Sequence, residues 1–587
     1  MNLPKKYVVI LSLATLCAAV VIPISCSKNF LNQTDTMQSD INGVTTKSSD
    51  VVSLVNAIYD TWQNSNLLKK SIWYWANFES HDFFNWGGDV IWNNYQIPAD
   101  FGALNDFWNY MYIGIARANA AFPVIKAAKE KGIVAADLGD RLTGEAYFMR
   151  GLAYYYLASS FGGVPLELNA VTDGLTPRSP RDSVFMQVVS DMKQAETLLW
   201  SKTKTVGGDL GRATKGAAYA FEGAAQMWLR NYQAALDAFN NTELTTNYHL
   251  MPNFADVNEY DHQNNDESLF EIQFEVPPGG TQDWSGSWNP PGGEIGWIDD
   301  FSWPQELTGQ GYDYGNPALW NSYQHGDKRK LLTIVGPGDT LASPGIIKKL
   351  GGLKGYWVVK SGFKAGNALF KADDGSILNT VGTLTRPWYG ADATNRTGYY
   401  CAKKWRDYNL TGGNTDSAGT SLLFGDQNQI LMRYAEVLLA RAECKVHLGD
   451  APGALADIKL VRDRAWGGAG LAPAAMQDSA GFDGQPGQQI TDPLQMVLSE
   501  YRHELSGEYS VFYDLCRAGT DTAVAFVNKA NGCVTGSYNP VPNPAPGPTH
   551  DNKQHGLYNT ALTKERTLMP IPQAAIGLNP NLRQNPY

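Results

Sequence analysis

145-EAYFMRGLAYYYLASSFGGVP-165 is apolar or small on nearly every side. Ala146, Phe148, Met149, Leu152, Ala153, Tyr155, Tyr156 and Leu157 fall all around a helix of 3.6 residues per turn, and a helix that is apolar all round is a buried one. Gly144, Gly151, Ala153 and Ala158 carry little side chain, so neighbouring helices can come close. Gly162-Gly163 and then Pro165 form a stop signal. The stretch reads as the central helix of a packed helical domain. Its run of tyrosines invites a ligand reading, but the pattern predicts that Tyr155 and Tyr156 are mostly buried.

Helical patterns continue on both sides. Residues 51–62 have apolar positions at helical spacing, and 101–128 form a long pattern in which Pro123 predicts a kink or boundary. Residues 181–200 place Val184, Val188, Met192, Ala195 and Leu199 on one stripe. Residues 213–242 read as helix, tight turn near Asn231, and helix, with Ala217, Gly223, Ala224 and Ala235 where paired helices must touch. Residues 427–465 repeat the plan around the turn Leu448-Gly449-Asp450, with Ala454 and Ile458 packing back. Such pairs resemble tetratricopeptide repeats, which bury their faces by stacking on neighbours. A further helix is expected over 493–517. Between these blocks, 267–276 (ESLFEIQFEV) suggests a strand, as do 356–360 and 399–405. Residues 277–323 read as a long loop with five Trp, and a loop of that length is usually functional or disordered. That much tryptophan argues against disorder. Residues 466–490 and 531–556 are Gly/Pro-rich loops.

The chain has 587 residues, 43% hydrophobic and 18% charged, as a globular protein has. A net charge of -11 argues against a nucleic-acid partner, which requires a basic face. The 17 Trp, 29 Tyr and 58 Gly exceed what a plain helical protein needs. Lys5 and Lys6, the apolar run 7–24, and Ser25-Cys26 before polar residues form a secretory signal ending at a cysteine. A small residue before cysteine resembles a bacterial lipobox, which would make Cys26 the lipidated N-terminus, although Pro23 stands where Leu is usual. An ordinary signal peptide with a chance cysteine is the plainer alternative. After Cys26 no apolar run approaches the roughly 20 residues that span a bilayer, so attachment is expected through the lipid alone. Cys401, Cys444, Cys516 and Cys533 allow three pairings and the spacing selects none; Cys444 and Cys516 fit small buried side chains.

In order along the chain, several motifs resemble one family, the SusD/RagB lipoproteins of Bacteroidetes. They are Arg117 and Asn119 in IARANAAF, GEAYFMRGLAYYYLASSFGGVPL at 144–166, ESLFEIQF at 267–274, RYAEVLLARAE at 433–443, ALADIKLVRDRA at 454–465, SEYRHELSGEYSVFYDLCR at 499–517 and LMPIPQAAIGLNPNLRQNPY at 568–587. Tyr501, Tyr509 and Val511 replace the usual Arg, Gly and Arg, and no Gly precedes the last Tyr. The resemblance implies a mainly α fold, a tetratricopeptide-like helical scaffold bearing long loops and a few short β-strands. It implies a non-enzymatic cell-surface protein in the outer membrane that captures a glycan, or in some members a peptide. Such a protein delivers its ligand to a SusC-like TonB-dependent transporter. The expected organisation is a signal peptide at 1–25, a lipid-anchored tether at 26–48, an N-terminal helical region at 49–250, a Trp-rich ligand-binding insertion at 251–426, and a C-terminal helical region and tail at 427–587.

A sugar presents an apolar C–H face and an edge of hydroxyls. It is met by flat aromatic platforms with Asn, Gln, Asp or Arg beside them. Two stretches offer both. Residues 79–95 carry Trp86, Trp92 and Asn93, with Asn85, Asp89 and Asn94. Residues 281–320 carry Trp284, Trp288, Trp297, Tyr312, Tyr314 and Trp320, with Asn289, Asp299, Asp313 and Asn316. Each aromatic has packing as its plain alternative, Trp303 and Trp320 most of all, whereas Trp284 and Trp288 are flanked by Ser, Gly and Asn. A surface glycoside hydrolase is the lesser reading, because no carboxylate pair is marked and no GxSxG, HExxH or P-loop occurs. His81-Asp82 and His325-Gly326-Asp327 read as surface polar residues. No cofactor is implied. Asp373-Asp374-Gly375 could hold a structural calcium, but it lacks EF-hand spacing and reads equally as a solvated turn.

Overall fold

The computed structural model describes residues 47–586, apart from 65, 86–88, 275–296, 299–301, 303–312, 337–338, 350–354, 360–367, 373–398, 405–410, 416–420, 426, 478–488 and 532–559. The signal and lipidation readings at 1–26, Trp86, Trp284, Trp288, Tyr312 and Asp373-Asp374-Gly375 lie outside the described residues. Trp297 is described in its backbone only, in the two-residue strand Trp297–Ile298.

The protein is mainly helical. Helix α1 (Ser48–Asp60) lies on α2 (Gly102–Glu130) and α3 (Ala136–Phe161). Helix α3 packs between α2 and α4 (Arg181–Leu198), and α4 packs on α5 (Lys215–Trp228). Helix α6 (Tyr232–Phe239) folds back on α5 and also meets α7 (Tyr434–His447), so it joins the two helical halves. The stack continues through α8 (Ala451–Trp466) and α9 (Pro493–Leu505) to α10 (Val511–Ala518) and α11 (Thr520–Asn531). These are antiparallel pairs that cover one another's apolar faces. Among the described residues no helix is long and apolar enough to cross a membrane.

Helix α3 is the axis of this stack. From Glu145 to Phe161 all but Tyr147 are buried, with Tyr155 and Tyr156 only 5% and 3% exposed. Tyr155 meets Phe185 and Phe221 edge-on, and Tyr156 meets Trp62 and Tyr513. Gly144 and Gly151 let α4 come close. A Cβ on Gly151 would lie 2.9 Å from Met192 Cε and 3.1 Å from Asp191 Cβ, and one on Gly144 would lie 2.9 Å from the Leu199 nitrogen. The buried Arg150 of α3 is fully engaged. Arg150 holds Asp191 bidentately at 2.9 and 2.6 Å and donates to Asn119, whose amide in turn serves the carbonyls of Glu167 and Asn169. The C-terminal tail closes the lower end of α3. Met569 N donates to the Ser160 carbonyl, and Asn585 Nδ2 donates to those of Phe161 and Met569.

Pro123 does not break α2; it sits on the exposed side and the helix runs through it. The helix expected over 493–517 is broken. Residues 506–510 separate α9 from α10, with Gly507 at φ +85°. Asn77 accounts for the break, because its Oδ1 accepts Gly507 N at 2.7 Å and its Nδ2 donates to the Glu508 carbonyl at 2.6 Å. Helix α11 follows immediately. Strand pairing is short and scattered. β1 (Phe83–Asn85) pairs antiparallel with β3 (Asp313–Gly315), counting β2 (Ser268–Ile272) between them. β2 pairs with β6 (Gln429–Arg433), and β4 (Ile334–Val335) with β5 (Tyr400–Cys401). Strand β6 lies where a helical repeat alone was expected. Part of the long loop is also structured, in β3 and the short helix Pro317–Ser322.

Candidate functional site

Described residues from each aromatic-rich stretch meet in one place. The β1–β3 ladder sets Phe84 opposite Tyr314 and Asn85 opposite Asp313. Asn93 locks the ladder from outside, donating to the Asn85 carbonyl at 2.8 Å and accepting its N–H at 3.2 Å, while Asn85 donates to Asp313 at 2.7 Å. Asn316 caps the next helix by accepting Ala318 N and donates to the His81 carbonyl.

Three of the expected ligand residues are part of this join. Trp92 has no exposed surface and sits edge-on between Tyr74, Trp75 and Phe101. Asn93 is buried and occupied by Asn85. Tyr314 is buried and stacks on Phe84 at 5.7 Å and against Tyr400 at 5.1 Å. A ring without exposed surface offers no face to a sugar, so in this structure these three build the platform and do not present it. His81 and Asp82, expected at the surface, do not lie there. Both are buried. His81 stacks on Tyr95, and burial pulls its imidazole down to about 3. Asp82 binds Arg502 Nε and Ser506 Oγ, both at 2.6 Å. Asp327 is buried too, as a bidentate partner of Arg329.

Trp320 stands at the rim of this platform. It is half-buried, with Tyr399 edge-on at 5.9 Å. Its indole Nε1 donates to Asp339 Oδ2 at 2.6 Å, which fixes the ring's rotation, and Gly336 N donates to the same oxygen at 2.8 Å. Lys330 Nζ lies over the ring, 3.1 Å from its centroid. Burial lowers this ammonium to about 8, against the pull of Asp339. Burial likewise raises the Asp339 carboxyl, against its hydrogen bonds and Lys330. The arrangement is an oriented aromatic ring with an ammonium over one face and a carboxylate at its edge, groups of the kinds a sugar requires.

A lattice of buried charge holds this rim to the scaffold, and it was not foreseen. Arg329, one residue before Lys330, binds Asp327, Glu500 Oε1 at 2.5 Å and Glu504 Oε2 at 2.9 Å. Arg433 binds Glu267, Glu504 and Glu508; Arg464 binds Glu267 and Glu504. Lys403 binds Glu508 at 2.6 Å and Arg462 reaches Glu500 at 3.4 Å. Five acids therefore face five bases, all buried. Burial pushes the Glu504 carboxyl up, but Arg464, Arg433 and Arg329 outweigh it and hold it well below the usual range. The Glu500 and Glu504 spacing is the signal that could have revealed an acidic face on α9, with Glu508 following in the break after it, but their partners are far apart in sequence.

Among the described residues, the contact between Ser322 and His503 does not support hydrolysis. Ser322 Oγ and His503 Nε2 are 3.0 Å apart, a nucleophile-and-base spacing. Both are buried, and burial together with Arg329, Arg502 and Arg462 holds the imidazole far below its usual value. Such a base does not accept a serine proton at neutral pH.

A family model described as "SusD family" matches residues 235–587, and one described as "Starch-binding associating with outer membrane" matches 28–229. SusD-like protein P25 of Formosa agariphila is 24% identical over 422 residues, covering 71% of this chain and 70% of that protein. Its relative P38 is 31% identical over 207 residues, covering 32% and 38%. Among solved structures, a SusD homologue from Bacteroides thetaiotaomicron aligns with a TM-score of 0.67 at 18% identity, covering 94% of this chain and 98% of that one. Surface glycan-binding protein A from the same organism, in complex with laminarihexaose, aligns at 0.63 and 18%, covering 92% and 100%.

Proposed function

Since the chain belongs to the SusD family, we propose that it is a cell-surface lipoprotein, anchored through Cys26, that captures oligo- or polysaccharide and passes it to a SusC-like TonB-dependent transporter. Proteins of this family bind carbohydrate and are not catalysts. The observation that carries the reading for this chain is the half-buried Trp320, its indole locked by Asp339 and its donors and acceptors supplied by Lys330 and Asp339. The scaffold beneath is buried and the indole is hydrogen-bonded to Asp339, so the ring is oriented before a ligand arrives. Trp297, Trp284, Trp288, Trp86 and Tyr312 remain proposed as further contacts to the same ligand. The peptide-capturing and hydrolytic readings become outcomes of one experiment. Calorimetry of the mature protein over a glycan and peptide panel is expected to show glycan binding with no product released, weakened at least tenfold by Trp320→Ala. Tight peptide binding without glycan binding, or turnover of a bound glycan, would overturn it. Labelling cells with a palmitate analogue tests the anchor: Cys26→Ala should abolish incorporation.

A further inference from the structure

Lys330 is an ammonium short of acceptors. Its Nζ lies 3.1 Å above the Trp320 ring, a cation–π contact that satisfies one direction only. An ammonium has three N–H donors, yet among the described residues Lys330 has no hydrogen-bonded or ion-paired acceptor. Asp339 is the counter-charge that acts on it through space, and the Oδ2 of that carboxylate is already committed to Trp320 Nε1 and Gly336 N. The amine is half-buried, and burial lowers its affinity for a proton. Burying a cation without a paired oxyanion is costly. The neighbouring cations are treated differently: Arg329 has three carboxylates and Arg433 has three. The fold therefore gives ion-paired carboxylates to the cations that build the scaffold, and gives the one beside the half-buried Trp320 only the through-space pull of Asp339.

We propose that Lys330 selects acidic glycans, its ammonium taking the carboxylate or sulfate of a sugar that rests against Trp320. A neutral hydroxyl would satisfy a donor but not the charge, and a charge-assisted hydrogen bond is about twice as strong as a neutral one. The protein's net charge of -11 repels an acidic polymer at long range, so selection has to come from a local cation, and added salt screens that repulsion. This inference rests on the glycan-capture reading and goes beyond it in naming the ligand class.

The test is calorimetry of the mature protein and of Lys330→Met and Lys330→Arg, each checked for an unchanged melting temperature. The probes are a uronate oligosaccharide, a sulfated galactan oligosaccharide and a neutral laminari-oligosaccharide. The expected result is at least a tenfold preference for one acidic probe, which tells carboxylate from sulfate. That preference should collapse toward one in Lys330→Met and survive in Lys330→Arg. A preference for the neutral probe, or an acidic preference unchanged in Lys330→Met, overturns the role of Lys330 and leaves glycan capture standing. Failure of both acidic probes to bind overturns this inference; glycan capture falls only if the full glycan panel fails as well.

Discussion

Glu504→Gln removes the acid on which three guanidinium groups converge. Glu504 Oε1 accepts Arg433 Nη1 at 2.6 Å and an Arg464 N–H, and Oε2 accepts Arg329 Nη1 at 2.9 Å. Glutamine keeps one acceptor but points an NH2 at donors, and it removes the charge that balances the cluster. Breaking a buried ion pair by removing one partner costs about 3–5 kcal/mol, because the other charge stays buried without compensation. With an unfolding entropy of about 2 cal/mol/K per residue, a chain of this size should lose roughly 3–4 °C in melting temperature. The pH dependence has a definite sign. Glu504 is held below its unfolded value, so its contribution is present above about pH 4 and is lost only as pH falls through the lowered folded value. The deficit of the variant should therefore be the same at pH 5 and pH 8 and shrink in strong acid. Urea unfolding at several pH values measures it. The surface pair Lys348–Asp261, with both side chains 55% exposed, is the control, and Lys348→Ala should cost less than about 1 kcal/mol. A Glu504→Gln deficit no larger than that of Lys348→Ala would refute the claim that this lattice holds the rim to the scaffold.

Other expectations follow from single sites. Gly151→Ala should destabilise by about 1–3 kcal/mol in urea, since its Cβ would meet both Met192 and the stiffer Asp191 Cβ on α4. Asn585→Ala should cost about 1–3 kcal/mol by the same assay, because the buried carbonyls of Phe161 and Met569 lose their donor and Arg178 loses an acceptor. Glu79 is fully buried with neither carboxyl oxygen hydrogen-bonded among the described residues, and burial raises its pKa well above normal, against the pull of Arg566. The folded state then keeps a proton that the unfolded state releases, which lowers stability by about 1.4 kcal/mol per pH unit above the unfolded value until the folded one is reached. Glu79→Gln should abolish that slope and melt higher than wild type at pH 7; an unchanged slope would refute it.

The scaffold was legible in sequence because its signals are local. Apolarity all round α3, the stripe from Val184 to Leu199 and the small residues of α5 each fall within one helix, and each is buried as expected. What was missed depends on contacts across hundreds of residues. The break at 506–510 lies inside an unbroken helical pattern and is made by Asn77. The polar dipeptide His81-Asp82 has the composition of a surface and is buried because Arg502 and Ser506 meet it. The same limit applies to the aromatics. Trp92 and Trp320 have similar neighbourhoods in sequence, yet tertiary packing encloses Trp92 and leaves Trp320 at a rim. Composition names the kinds of residue a sugar site needs; tertiary packing decides which of the described ones are enclosed.

The most direct test of glycan capture is calorimetric titration of the mature wild-type protein and Trp320→Ala with the same glycan panel, with the products analysed after incubation. The account predicts saturable binding of a glycan by wild type, at least a tenfold loss in Trp320→Ala at unchanged melting temperature, and recovery of the glycan intact. Equal affinity of the two proteins, or a cleaved glycan, would contradict it.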